Sequence, residues 1–364
     1  MATGCPLQGD LQVHDSVDRD NAADIAAFRA LGVTAGAIRG ANCRSTVQAL
    51  CGKPTVSLPV STASAASSDS TASTVRPAFR RASPCLLALA FLFAGAQPVW
   101  SAAFDHSHAA FSTLLARHVR WNAAGTATTV DYAALSRDHD ALKAYTRTLS
   151  AVPLAEYSLW RQAERRAFLI NAYNAFTLQL ILSRYPDLES IRDFGNIVFN
   201  SPWKQRFFNL LGEARHLDDV EHGLLRGAAD FDEPRIHFAV NCASVGCPAL
   251  RPEAYAASRL DAQLGDQTRR FLRDRARNHF DPAPRPTASI SPIFRWYRKD
   301  FEAGYQGIDS LRAFLARYSE ALTDNVADRS LLKSGPLEVK FTEYSWELND
   351  RSAAQRDRPG AASH

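Results

Sequence analysis

Residues 167–182 read AFLINAYNAFTLQLIL, and this stretch decides the fold. Its apolar side chains occur on every side of a 3.6-residue period, which is typical of a helix buried in a core. The helical pattern covers residues 160–185, and Pro186 stops it. Asn171 and Asn174 lie three positions apart and therefore share one face of this helix. We expect their amides to form a hydrogen-bonded network that either ties loops to the core or takes part in catalysis.

Shorter elements surround the buried helix. Upstream, apolar residues at helical spacing predict further helices, and a short extended segment enters one of them at Asp131. Downstream, Asp218 and Glu221 resemble a capping box for a short helix that ends at Gly227. Apolar periodicity predicts the remaining elements, which are strands at 288–290 and 339–341 and helices around 260–272, 293–301 and 308–315. The sum is an α+β fold, a mostly helical single domain packed on a small sheet.

Residues 235–248 read RIHFAVNCASVGCP and are the second informative stretch. Ile236, Phe238 and Val240 alternate with Arg235 and His237, which predicts a half-buried strand. An imidazole and a guanidinium would then point away from the core. Polar residues and thiols follow the predicted strand where binding loops tend to lie, namely Asn241, Cys242, Ser244 and Cys247.

Three interpretations of Cys242 and Cys247 stay open. The pair could form a disulfide, which an oxidising compartment favours. One thiol could instead be a nucleophile, with His237 or His222 as its base and an asparagine orienting the imidazole. The third interpretation is a zinc site built from both thiols and both histidines, although the histidines lack chelate spacing.

The beginning of the chain has the composition of a leader. Residues 57–74 are a Ser/Thr/Ala tract with little to bury, which predicts disorder. Residues 76–102 join three arginines, an apolar stretch and a small-residue end, the plan of a secretory signal peptide. We therefore predict a disordered, spurious extension at 1–74, a signal peptide at 75–102, the domain at 103–349 and a disordered tail at 350–364.

The composition of the chain limits the classes of partner that it can bind. The formal net charge is +4, and the basic residues do not cluster, so we expect no nucleic-acid partner. No apolar run reaches the roughly 18–20 residues of a spanning helix, so no transmembrane anchor beyond the signal peptide is expected. The predicted location is the periplasm or the exterior of the cell. We expect no cofactor, and the expected partner is an unknown small molecule, peptide or protein.

Several segments together resemble the domain of unknown function 547 family. They are AFLINAYNAFTLQLIL, the turn at Trp203, LDDVEHGLLR, RIHFAVNCASVGCPAL, SPIFRWYRKDF and EYSWELN. The resemblance implies an exported bacterial domain whose activity is unassigned, and plant relatives that join a similar domain to a coiled coil suggest a role in assemblies. A long buried helix beside a His-bearing strand is also distantly similar to papain-like and transglutaminase-like folds, although those folds place the thiol at the helix start.

Two functions are consistent with these patterns. The first is a thiol-dependent hydrolase or acyl transferase acting on peptide-like bonds. The second is a non-catalytic ligand- or protein-binding module with a structural Cys242/Cys247 pair. The residues assigned to catalysis are Cys242, Cys247, His237, His222 and Asn174. The residues assigned to substrate binding are Arg235, Asn171, Asn241 and Glu221.

Overall fold

A computed structural model of the chain describes residues 103–195, 201–227 and 231–352. The predicted extension and signal peptide at 1–102, and residues 353–364 of the predicted tail, lie outside this described part. No helix within the described ranges combines the length and the apolar character that crossing a lipid bilayer would need.

Short helices and a two-stranded ribbon precede the central helix. They are α1 (Ala109–His118), β1 (Val119–Trp121), β2 (Thr128–Val130), α2 (Tyr132–Arg137), α3 (His139–Ser150) and α4 (Leu154–Ser158). Strands β1 and β2 pair antiparallel. The side chain of Asp131 accepts a hydrogen bond from the amide of Ala134 at 2.8 Å and so caps α2. The predicted extended segment that enters a helix at Asp131 is confirmed.

Helix α5 spans Gln162–Leu182 and forms the centre of the first hydrophobic core. Of its 21 residues, 15 are buried, as the apolar stretch predicts. The carboxylate of Glu164 accepts a hydrogen bond from the Arg161 amide at 2.9 Å, which satisfies one free donor at the helix start. The helix ends at Leu182, shortly before Pro186. The prediction of a buried helix is therefore confirmed.

The chain after α5 is built from short pieces. They are 3₁₀-helices at Ile191–Phe194 and Pro202–Lys204, strands β3 (Phe208–Leu210) and β4 (Glu213–Arg215), and a π-helix at Asp219–Leu225. The predicted capping box at Asp218 and Glu221 is wrong: the Asp218 side chain makes no capping hydrogen bond, and Asp218 itself has helical backbone angles. Glu221 is 5% exposed and lies inside the protein instead.

The segment predicted as a strand is a 3₁₀-helix, Pro234–Phe238. Pro234 occupies the first helical turn, where its fixed φ suits the helix and its missing N–H is not needed. Ile236 belongs to the core around α5, whereas Phe238 belongs to a second core rich in phenylalanine. The alternation in the sequence thus reflects packing between two cores, and the predicted strand at 235–240 is wrong.

The remaining chain builds the second core. Its elements are a 3₁₀-helix at Ala257–Arg259, α6 (Leu260–Arg273), β5 (His279–Asp281), β6 (Thr287–Ile290), α7 (Ile293–Trp296), α8 (Arg298–Phe301), a 3₁₀-helix at Tyr305–Gly307, α9 (Leu311–Arg317), α10 (Ser319–Leu322), α11 (Val326–Ser334) and β7 (Glu338–Phe341). Strand β6 pairs antiparallel with β5 and parallel with β7. The predicted strands at 288–290 and 339–341 are confirmed, and the predicted helix at 293–301 is divided into α7 and α8. The described domain is a mostly helical α+β fold, as predicted.

Residues 344–350, which we call the closing segment, connect distant parts of the domain. The amide of Leu348 donates to the carbonyl of Glu189 at 2.7 Å, and the amide of Val130 donates to the carbonyl of Asn349 at 2.9 Å. The amide of Gly246 donates to the carbonyl of Ser345 at 2.8 Å. A Cβ atom on Gly246 would lie 2.8 Å from that carbonyl oxygen, so a glycine is needed there.

Candidate functional site

The thiols of Cys242 and Cys247 are joined in a disulfide, with their Cα atoms 6.2 Å apart. The hydroxyl of Tyr344 lies 3.4 Å from the Cys242 sulfur and 3.2 Å from the Cys247 sulfur. Ser244 contacts the Cys242 sulfur at 3.2 Å, and the Cys242 amide donates to the Cys247 sulfur at 3.0 Å. In this form neither cysteine carries a free thiol, and within the described residues no histidine is a hydrogen-bond partner of either sulfur.

The four predicted zinc ligands do not converge. The two sulfurs are bonded to each other, whereas His222 and His237 contact Arg226 and Asp300. Across residues 103–195, 201–227 and 231–352, no three His, Cys, Asp or Glu side chains are arranged to hold a metal ion.

The asparagines hold loops to helix α5. The amide of Asn171 donates to the carbonyl of Tyr255 at 2.8 Å and accepts from the Tyr255 amide at 2.9 Å. Asn174 makes the same pair of bonds, donating to the carbonyl of Ala239 at 3.0 Å and accepting from the amide of Asn241 at 2.8 Å. These bonds agree with the structural interpretation of both side chains, and among the described residues neither side chain has a hydrogen bond to a histidine.

Two other residues predicted to bind substrate are engaged in the same structural way. The side chain of Asn241 donates to the carbonyl of Pro248 at 2.7 Å and accepts from the amide of Ala243 at 2.9 Å, which shapes the disulfide loop. The guanidinium of Arg235 makes two 2.7 Å bonds to the carboxylate of Glu233 and one of 2.7 Å to Asp261. Arg235 is 6% exposed, so it lies in a buried ion pair rather than on the open face predicted for it.

His237 and Asp300 form the centre of a second polar cluster. Nε2 of His237 lies 2.7 Å from Oδ2 of Asp300. The guanidinium of Arg226 binds both oxygens of Asp300, at 2.6 and 3.1 Å, and its Nη1 lies 2.7 Å from Nδ1 of His222. Although burial disfavours the charged carboxylate, hydrogen bonds from His237 and Arg226 hold the pKa of Asp300 below its usual value.

The other nitrogen of His237 has no hydrogen-bond partner among the described residues. Because the Asp300 carboxylate accepts at Nε2, the ring proton belongs there and Nδ1 presents a lone pair. Burial lowers the pKa of His237, which favours this neutral imidazole. Nδ1 lies 3.9 Å from Oε1 of Glu221, and the ring of Tyr297 stacks on the imidazole with ring centroids 3.7 Å apart. We call Glu221, His237, Tyr297 and Asp300 the Glu221–His237 site.

Partly exposed groups border this site. Nε2 of His222 lies 3.9 Å from Oδ1 of Asp218, and their side chains are 28% and 22% exposed. Burial, with a contribution from the charge of Glu221, raises the pKa of Asp218 to about 7. Burial raises the pKa of the Tyr173 hydroxyl, and the charges of Glu221 and Asp218 raise it further.

Half-buried aromatic rings lie beside the disulfide. The rings of Trp203 and Trp346 lie 5.6 Å apart, and Trp346 contacts Tyr344 at 4.6 Å and Trp296 at 6.0 Å. The charge of Glu221 contributes to the raised pKa of Tyr344, after burial as the main cause.

The structure brings together three of the predicted site residues, which are Glu221, His222 and His237. Sequence reasoning missed Tyr297 and Asp300, which both contact His237. Both residues lie in the predicted helix at 293–301, where a spacing of three residues would place them on one helical face. Arg226, four positions after His222, could have been found in the same way.

We expect Asp218→Asn to stabilise the protein at high pH. The pKa of Asp218 in the folded state, about 7, lies above its ordinary value of 3.8, so the folded protein holds this proton more tightly than the unfolded chain does. Stability conferred by that proton is present below pH 4 and is lost as the pH rises toward 7. Asparagine does not titrate, so the variant should gain about 2 kcal/mol over the wild type at pH 8.

The check is urea unfolding of both proteins at pH 4 and pH 8. The gain should vanish at pH 4, and Asp187→Asn, at an exposed position, serves as the control. An equal difference at both pH values would show that the carboxyl of Asp218 titrates normally in the folded protein.

Comparison with known proteins agrees with the family resemblance. Residues 157–272 match the model of the family described as protein of unknown function, DUF547. The predicted resemblance to the DUF547 family is thus confirmed over these residues. Neither the curated proteins nor the solved structures contain a match.

Proposed function

We propose that this protein is a ligand-binding module whose Cys242–Cys247 disulfide is structural. The observation that carries the proposal is the buried Nδ1 of His237, which has no hydrogen-bond partner among the described residues and faces the carboxylate of Glu221 at 3.9 Å. Both groups are hydrogen-bond acceptors, and Glu221 already has a hydrogen bond with the Tyr297 hydroxyl. A buried acceptor without a donor costs about 1–3 kcal/mol, so Nδ1 of His237 favours a bound molecule that supplies a donor.

The disulfide supports a structural role for the two cysteines. It closes a short loop whose backbone pairs with the closing segment, through Val245 and Glu347 at 2.8 Å and Ala243 and Asn349 at 3.0 Å. Oxidised cysteine pairs persist in exported proteins. The bond is therefore consistent with the proposed periplasmic or secreted location.

Thiol-dependent hydrolysis or acyl transfer on peptide-like bonds, the other function predicted from the sequence, has less support. It needs a free thiol beside an imidazole. Here the sulfurs contact Tyr344 and Ser244, and His237 is directed toward Asp300 and Glu221. This geometry favours the binding module.

We expect replacement of both cysteines, in the variant Cys242→Ser/Cys247→Ser, to lower the free energy of unfolding by about 2 kcal/mol. The physical reason is that a cross-link over so short a loop restricts the unfolded chain only modestly. The measurement is chemical denaturation of wild type and variant, with and without a reductant.

The reductant provides the matched control for this prediction. It should destabilise the wild type by the same amount and leave the double variant unchanged. In addition, the tryptic peptide 236–259, which contains both cysteines, should resist alkylation until the protein is reduced. Alkylation of that peptide in the native, unreduced protein would contradict a structural disulfide.

Binding is tested by calorimetric titration with a panel of aliphatic amines, carboxylates, neutral sugars and short peptides. At least one class should bind the wild type and bind Glu221→Gln at least tenfold more weakly. The variant Glu347→Gln, at an exposed glutamate, should bind like the wild type. If no class binds in a manner that depends on Glu221, the binding-module proposal fails.

A further inference from the structure

We propose that the Glu221–His237 site recognises a protonated primary amine. This inference rests on the proposed binding function and names its ligand class. A primary ammonium group carries a positive charge and three N–H donors. Glu221 and Nδ1 of His237 offer a matching pair of acceptors, 3.9 Å apart.

Glu221 is a buried carboxylate without a cationic partner. It is 5% exposed, and within the described residues its sole ion-pair contact is the 3.9 Å approach to Nδ1 of His237. Arg226 is the nearby guanidinium, but Asp300 and His222 take up its nitrogens. A buried charge is unfavourable unless it is paired. A cation from outside the chain would supply the missing partner.

The Nδ1 atom of His237 adds a directional requirement. Asp300 holds the proton on Nε2, so Nδ1 can only accept. Two acceptors 3.9 Å apart can be bridged by one nitrogen that lies about 2.8 Å from each of them. At that position the directions to the two acceptors diverge by nearly a right angle, about 20° below the tetrahedral angle of an ammonium group, which is a bend that hydrogen bonds tolerate.

Other ligand classes fit less well. A hydroxyl group has one donor and would leave one of the two acceptors unpaired. A carboxylate ligand would meet Glu221 with the same charge. A quaternary ammonium group has the charge but no N–H, so it would leave Nδ1 of His237 unpaired. Nor is a metal ion favoured, since no third His, Cys, Asp or Glu among the described residues completes a ligand set.

The border of the site suits the remainder of an alkylamine. Tyr297 covers one face of the His237 ring, and the buried ring of Tyr173 lies near Glu221. Asp218 and His222, each about a quarter exposed, lie where the cluster meets solvent. The carboxyl of Asp218 adds an acceptor at that border, and the aromatic rings provide apolar contact for methylene groups.

The experiment is isothermal titration of the full chain with n-butylamine, n-butanol and tetramethylammonium at pH 7.5. We expect n-butylamine to bind at least tenfold more tightly than either of the other two. Glu221→Gln should weaken n-butylamine binding at least tenfold, and Glu347→Gln should not change it. His237→Gln keeps a donor toward Asp300 but lacks the Nδ1 acceptor, so it should also weaken binding.

The outcomes separate this inference from the proposed function. Equal binding of n-butanol, or of tetramethylammonium, would overturn the amine inference. Glu221-dependent binding of a sugar, peptide or carboxylate instead of an amine would overturn the inference and leave the binding-module proposal intact. If circular dichroism shows that Glu221→Gln is unfolded, two measurements still test the inference. They are the ratio of the n-butylamine and n-butanol affinities of the wild type, and the n-butylamine affinity of His237→Gln.

Discussion

Replacing Asn174 by alanine should lower the free energy of unfolding by about 3–5 kcal/mol. The side chain is 2% exposed and makes two hydrogen bonds, to the carbonyl of Ala239 and from the amide of Asn241. Truncation would leave both backbone groups buried and unpaired, at about 1–3 kcal/mol each, beside a small cavity. Because these groups lie between the 3₁₀-helix and the disulfide loop, the loss should also loosen that loop.

Urea denaturation followed by tryptophan fluorescence measures this effect. Asn209→Ala, at an exposed position on β3, should change stability by less than about 0.5 kcal/mol and controls for the loss of an amide. Asn174→Asp keeps the acceptor oxygen but not the donor, so it should still destabilise the protein. A loss below 1 kcal/mol in Asn174→Ala would mean that the two hydrogen bonds do not hold the loop.

We expect Asp300→Asn to destabilise the protein by about 3–4 kcal/mol at pH 7. Asp300 neutralises Arg226 and accepts from His237, whose side chain is fully buried. Removing the charge of one partner leaves the other charge buried without compensation. The same substitution also removes the group that holds the proton on Nε2 of His237.

The pH dependence of this variant follows from the direction of the shift. The pKa of Asp300 is lower in the folded protein than its ordinary value of 3.8. The carboxylate therefore contributes its stability above pH 4, and that contribution is lost as the pH falls below 4. The difference between wild type and Asp300→Asn should shrink in that range, whereas Asp309→Asn, at an exposed position, should show no difference at either pH. A difference that is independent of pH would contradict the ion pair.

The buried helix was predictable because its pattern has one physical solution. A run such as AFLINAYNAFTLQLIL can only be buried on all sides, and its two amides must then find partners. The pairing of Asn171 with Tyr255, 84 residues away, was not predictable, since no local pattern specifies which loop satisfies a buried amide.

The candidate site was predictable in part. Glu221, His222 and His237 were selected for their chemistry, but the capping spacing of Asp218 and Glu221 suggested the wrong role for the carboxylate. The alternation around His237 has two solutions, a half-buried strand or a helical turn between two cores, and only the tertiary structure distinguishes them. Asp300 lies 63 residues from His237 and belongs to a different helix, so their contact arises from packing alone.

The closing segment has a consequence for how the domain is made. Tyr344 lies 102 residues after Cys242 along the chain, and Asn349 pairs with strand β2 far upstream. Helix α5 and the disulfide loop are synthesised well before the closing segment, whose backbone pairs with the loop. Their exposed amides and carbonyls must meanwhile be solvated. Contacts of such long sequence separation slow folding. Cooperative folding of the domain should therefore await the arrival of the closing segment.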